Sequence, residues 1–218
     1  MTKKQRTAII IERLREAYPD ATCTLEYDEA WKLLVEVRLA AQCTDARVNI
    51  VVQDLYAKYP TVAALAEAKP EDVEAIVRPC GLGRSKAKDI CACMKVLHEK
   101  YQDNVPDDFD ALLALPGVGR KSANLIMGDV FGKPAIVTDT HCIRLVNRMG
   151  LVDGEKDPKK VGMASHRKRA VIYVTGWYIM AEMCAVRARS RIVMCAVCRI
   201  FVRNVALNRQ EAIHGSQI

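Results

Sequence analysis

The chain has 218 residues, half of them hydrophobic, and carries a net charge of +7. That length supports one substantial core or two small ones. The charge permits a polyanionic partner without requiring one, and no apolar run reaches the roughly 18 residues that a membrane span needs.

The N-terminal stretch MTKKQRTAIIIERLREAYPD begins basic, and Glu12, Arg13 and Arg15 soon interrupt its apolar residues. It reads as an amphipathic helix over residues 3–18, not as a signal peptide. A second helix is expected over 30–41, and a third from a cap at Thr44 or Asp45 to about Tyr59. Short helices follow at 61–68 and 70–78, the latter with Pro70 in its first turn. Gly81 and Gly83 break the chain before a helix over 85–101, and helices over 107–114, 119–131 and 140–149 complete the set. No alternating strand of convincing length occurs, so the predicted class is all-α, built from many short helices. After about Val161 the chain becomes rich in Arg, Val, Met and Cys, with no clean apolar face and no capping signal. Nine cysteines point to a reducing compartment, as thiols or metal ligands.

Leu115, Pro116, Gly117, Val118 and Gly119 make a tight turn, and Arg120 and Lys121 follow at once. Glycine lacks a Cβ, so this backbone can take positive φ and approach another surface closely. The turn opens a helix, whose first N–H groups favour an anion such as a DNA phosphate. A plain helix–turn–helix corner with two basic, solvent-facing residues satisfies the same pattern.

LPGVGRKSAN followed by VTDTHCIRLVNRMGL resembles the endonuclease III family of helix-hairpin-helix DNA glycosylases and AP lyases. AAQCTDARVN at 40–49 is similar to that family's helix-end motif, and GLGRSKAKDI at 81–90 to its intercalating loop and following helix. The resemblance runs in order over roughly residues 1–161. It implies two helical lobes with the active site in the cleft between them. One is a six-helix lobe over 22–131, and the other joins 1–21 to 132–218.

The resemblance also implies roles. Lys121 is the nucleophile that attacks C1′ of a damaged nucleotide, expels the base and leaves a Schiff base; β-elimination then cuts the strand on the 3′ side. The attacking amine must be uncharged, and burial beside cations such as Arg120 is expected to favour that form. Asp139 is the catalytic aspartate, which stabilises the cationic sugar or moves a proton; its place before Thr140 also suits a helix N-cap. The target base has to leave the stack, and Gln42 and Leu82 are the implied gap fillers. The hairpin residues Leu115 to Arg120, with Arg84, Lys86 and Lys88, are candidates for DNA contact. Without the resemblance, Gln42 reads as a polar helix end and Leu82 as a loop residue folded onto the core. His141 is expected to have a structural hydrogen-bonding role.

The chain departs from the family at three places. Gly83 stands where the loop usually carries an aromatic residue, which suggests a more flexible loop. Glu36 interrupts the apolar helix segment LLVEVRL. The related adenine glycosylases carry a catalytic glutamate in a similar setting, but they generally lack the lysine; a surface-facing Glu36 is the plainer expectation. The third departure is the tail. The family ends in four cysteines, C-x6-C-x2-C-x5-C, which hold a [4Fe–4S] cluster. Here Cys184, Cys195 and Cys198 are spaced by ten and two residues, and Asn204 stands where a fourth ligand is due. Residues 176–203, back-translated with suitable synonymous codons and read one frame on, yield VHHGRDVCRARPQPDCDVCRLPHLCPK, close to the family's ending. The tail is therefore read as frameshifted, with true divergence or cluster loss as the alternative. Cysteines 23, 43, 80, 91, 93 and 142 read as buried thiols in helices.

The expected function is excision of oxidised pyrimidines from duplex DNA with linked AP-lyase cleavage, by a monomer at the bacterial nucleoid in the cytoplasm. The alternatives are an adenine-type mismatch glycosylase and a non-catalytic DNA-binding remnant with a damaged C-terminal lobe.

Overall fold

A computed structural model describes residues 2–17, 23–133, 135 and 137–166. Among these, all regular structure is helical. The α-helices are α1 (Lys3–Ala17), α2 (Ala30–Leu39), α3 (Asp45–Lys58), α4 (Val62–Ala66), α5 (Pro70–Val77), α6 (Gly83–Tyr101), α7 (Phe109–Ala114), α8 (Arg120–Asp129), α9 (Thr140–Arg148) and α10 (Pro158–His166). A 3₁₀ turn, Arg78–Cys80, joins α5 to α6. The all-α expectation holds. No described helix is long and apolar enough to cross a membrane.

The described residues fall into two compact units. In the larger, residues 23–133 with 135 and 137, the 19-residue helix α6 is central. Helices α4 and α5 pack along it, and α2 touches α3, α6 and α8. Leu33, Leu39, Leu55, Leu65, Ile90, Leu97, Leu112 and Ile126 are fully buried in this core. Each contributes about 1.5–3 kcal/mol by leaving water. Local chemistry starts the helices. The Thr61 hydroxyl accepts from the Ala64 N–H at 3.1 Å, and Asp108 Oδ1 accepts from the Ala111 N–H at 2.8 Å. Pro70 opens α5 with Glu71 and Asp72 in its first turn, where carboxylates suit the helix dipole.

The smaller unit comprises residues 2–17 and 138–166. Its buried residues include Ile10, Cys142, Leu145, Val146, Val152 and Val161. Arg6 Nη1 donates to the Gly150 carbonyl at 3.1 Å and so ties α1 to the end of α9.

Helix ends differ from the periodic reading by one to two residues where backbone geometry intervenes. Helix α2 stops at Leu39 because the chain turns into a left-handed residue at Gln42 (φ 58°). Helix α6 starts at Gly83 because Leu82 (φ 52°) marks the break. Helix α10 was not expected. Its start carries a readable signal: Asp157 Oδ1 accepts from the Lys159 N–H at 2.8 Å, with Pro158 at the first helical position.

Candidate active site

The hairpin between α7 and α8 is built from opposite demands on its residues. Leu115 is 3% exposed and belongs to the core, so its side chain anchors the turn. Its carbonyl accepts from the Val118 N–H at 3.2 Å, and Val118 packs against the core while Pro116 is half-buried. Gly117 has φ +74°, and a Cβ there would sit 2.8 Å from Asp89 Cβ. Glycine is thus required both for conformation and for space. Below it, Arg38 Nε donates to Asp89 Oδ2 at 2.8 Å, joining α2 to α6. Gly119 is different: its backbone is extended, and a Cβ would meet nothing within 4 Å. It is the N-cap of α8 and brings no side-chain cap. The first turn of α8 thus opens beside the exposed backbone of Gly117 and Gly119, a geometry that accepts an anion. Arg120 is exposed, and its guanidinium lies 5.3 Å from the Phe109 ring centroid, bracing the start of α8 on the start of α7.

Lys121 stands in that first turn and is exposed. The burial expected to favour its uncharged form is therefore not supplied here. Asp139 precedes α9 in the smaller unit and is half-buried. Its Oδ1 accepts from the Cys142 N–H at 2.8 Å, and its carbonyl from the Ile143 N–H at 2.9 Å. The N-cap role thus holds, whatever chemistry the carboxylate also performs.

Gln42 and Leu82 are both exposed, and both hold a left-handed backbone although neither is glycine. Leu82 is 59% exposed, so it is not folded onto the core. Such conformations are sparsely populated and cluster at functional positions. Gly83 lies at the start of α6, where a Cβ would come 3.2 Å from Arg78 Cα, a tight approach. Arg84 and Lys88 are exposed. Lys86 is fully buried and cannot reach a phosphate, which corrects the expectation. Its Nζ donates to the carbonyls of Leu39 and Cys80, each at 2.8 Å. The sequence held the signal: Arg84 and Lys88 are four apart and share a helix face, and Lys86, two from each, points the other way.

Glu36 is also fully buried, not surface-facing. Its Oε1 accepts from the Tyr56 hydroxyl at 3.2 Å. Burial pushes its carboxyl up to about 7; Asp28 and Glu26 act in the same direction, and the Tyr56 bond and Lys32 oppose them. Cys80, Cys91, Cys93 and Cys142 are buried as expected, and burial raises the Cys93 and Cys142 thiols to about 12. Cys23 and Cys43 are only half-buried and lie outside the helices. Among the described residues no cluster of His, Cys, Asp or Glu could hold a metal. Cys184, Cys195 and Cys198, the frameshift reading and the side chain of His141 lie outside what is described. As a donor set, three thiols at these spacings do not fit a four-thiolate cluster, and no chemistry is routed through one.

The HhH-GPD superfamily of base excision DNA repair proteins matches residues 35–168. Endonuclease III from Synechocystis sp. is 42% identical over 161 residues, 73% of each chain. The chain belongs to the endonuclease III family. It is accordingly a DNA-binding base-excision-repair enzyme, a DNA glycosylase and AP lyase. A solved non-covalent endonuclease III–DNA complex superposes with a TM-score of 0.75 at 35% identity, covering 83% of this chain and 85% of the other. A trapped endonuclease III–DNA covalent intermediate gives 0.73 at 37% identity, covering 83% of both.

Proposed function

We propose that Lys121 is the nucleophile and Asp139 its acidic partner in removing oxidised pyrimidines from duplex DNA. The observation that carries the reading is an exposed lysine in the first turn of a helix whose N-cap, Gly119, leaves the adjoining backbone open. A phosphate seated on that turn brings the neighbouring sugar to the amine. Lys121 Nζ forms a bond to C1′ as the C1′–N bond to the base breaks, and the base leaves with a proton. The C1′–O4′ bond then opens, O4′ taking up a proton, and leaves a protonated Schiff base at C1′; this acidifies C2′, and loss of a C2′ proton expels the 3′ phosphate as the C3′–O bond breaks. Asp139 stabilises the cationic sugar through the carboxylate that also caps α9.

Arg84, Arg120 and the backbone of Gly117 and Gly119 hold the phosphates, and Gln42 and Leu82 enter the gap left by the flipped nucleotide. Their exposure and left-handed backbones support this role. That a related endonuclease III has been trapped covalently on DNA supports the lysine chemistry. The enzyme acts as a monomer at the bacterial nucleoid. Excision assays test the substrate class. Release of thymine glycol from duplex DNA, with no release of adenine from a mismatch, is expected; adenine release with thymine glycol untouched would overturn it.

A further inference from the structure

We propose that Lys86 is a positioning residue that fastens the roots of the Gln42 and Leu82 turns to one buried ammonium, fixing how those two side chains enter the duplex. The inference rests on the reading of Gln42 and Leu82 as gap fillers. Leu39 is the last residue of α2, three positions before Gln42. Cys80 closes the 3₁₀ turn, two positions before Leu82. A single side chain thus bonds, at 2.8 Å each, to the carbonyls from which both turns depart.

Three observations make this more than a filled core. First, an ammonium out of water is costly unless bonded, and Lys86 and Glu36 are the only buried polar or charged side chains among the described residues. Second, the two carbonyls close an α-helix and a 3₁₀ turn, where backbone acceptors are left over and a cation is favoured. Third, both turns contain a non-glycine residue with positive φ, at 58° and 52°. Such backbone persists only where its surroundings hold it, and Lys86 holds both turns at their roots. Two probes that must fill one gap gain from a fixed separation, because misplacement by about an ångström costs on the order of a hundredfold in a positioned reaction.

The test is a double-mutant cycle on binding, which needs no turnover. The readout is the affinity for a duplex with a tetrahydrofuran abasic analogue divided by that for an intact duplex. Lys86→Met is expected to lower this ratio on the order of tenfold and to leave intact-duplex affinity unchanged. Leu82→Ala is expected to lower it too, and the double variant should fall no further than the worse single variant. Independent, multiplying losses, or an unchanged ratio in Lys86→Met, would overturn the clamp and leave the gap-filler reading standing. An unchanged ratio in Leu82→Ala overturns that reading itself. Should Lys86→Met fail to fold, Lys86→Gln, too short to span both carbonyls, takes its place. Hydrogen exchange in the unaltered chain gives a second arm. Amides 40–43 and 80–83 are expected to open with one common free energy, and clearly different values would contradict the clamp.

Discussion

Glu36 shows what a single buried carboxylate does to this protein. Its pKa of about 7 lies above its ordinary value of 4.5 because burial disfavours the charge. The folded chain therefore holds this proton more tightly than the unfolded one. Its stabilising contribution is complete below about pH 4.5 and is lost as pH rises toward 7. Glu36→Gln is expected to be about 2 kcal/mol more stable than the parent at pH 8 and nearly equal at pH 5. Thermal melts at the two pH values check this, and equal shifts at both would contradict it. The burial of Glu36 was not legible because α2 buries Trp31, Leu33, Leu34, Val35 and Leu39 around most of its circumference. A helix buried around most of its surface leaves little polar face against which a stray charge stands out. Lys86 was legible in principle, from its spacing to Arg84 and Lys88.

At the scale of elements, α9 and the α7–α8 hairpin carry the proposed chemistry. Asp139 has two duties that substitution can separate. Asparagine keeps the acceptor for the Cys142 N–H, so Asp139→Asn should melt within a few tenths of a kcal/mol of the parent and still lose excision on the order of a hundredfold. Asp139→Ala should lose the same activity and about 1 kcal/mol of stability besides. Full activity in Asp139→Asn would reduce the aspartate to a cap. Three helices have chemically marked starts: Thr61 caps α4, Asp108 caps α7 and Pro70 opens α5. The hairpin pattern does not by itself distinguish Leu115, whose side chain is buried, from the exposed residues that follow it. The turn needs one buried anchor, and the apolar residue supplies it.

At the scale of the molecule, the body and the tail of the chain differ. The family match ends at residue 168, close to where the composition shifts toward Arg, Val, Met and Cys. Cys184, Cys195 and Cys198 depart from the family's four-cysteine spacing, with Asn204 where a fourth ligand is due. Iron and acid-labile sulfide in the purified chain are expected well below the roughly four of each that a cluster holds. Full occupancy would contradict the reading of the tail. The described residues fall into two compact units, where composition alone left one core or two equally open.

The most direct test is borohydride reduction of the chain on a duplex with one abasic site, followed by peptide mapping of the adduct. A covalent protein–DNA species is expected, with the modification on Lys121 and none formed by Lys121→Ala. An adduct on another residue, or one that persists undiminished in Lys121→Ala, would contradict the assignment of the nucleophile.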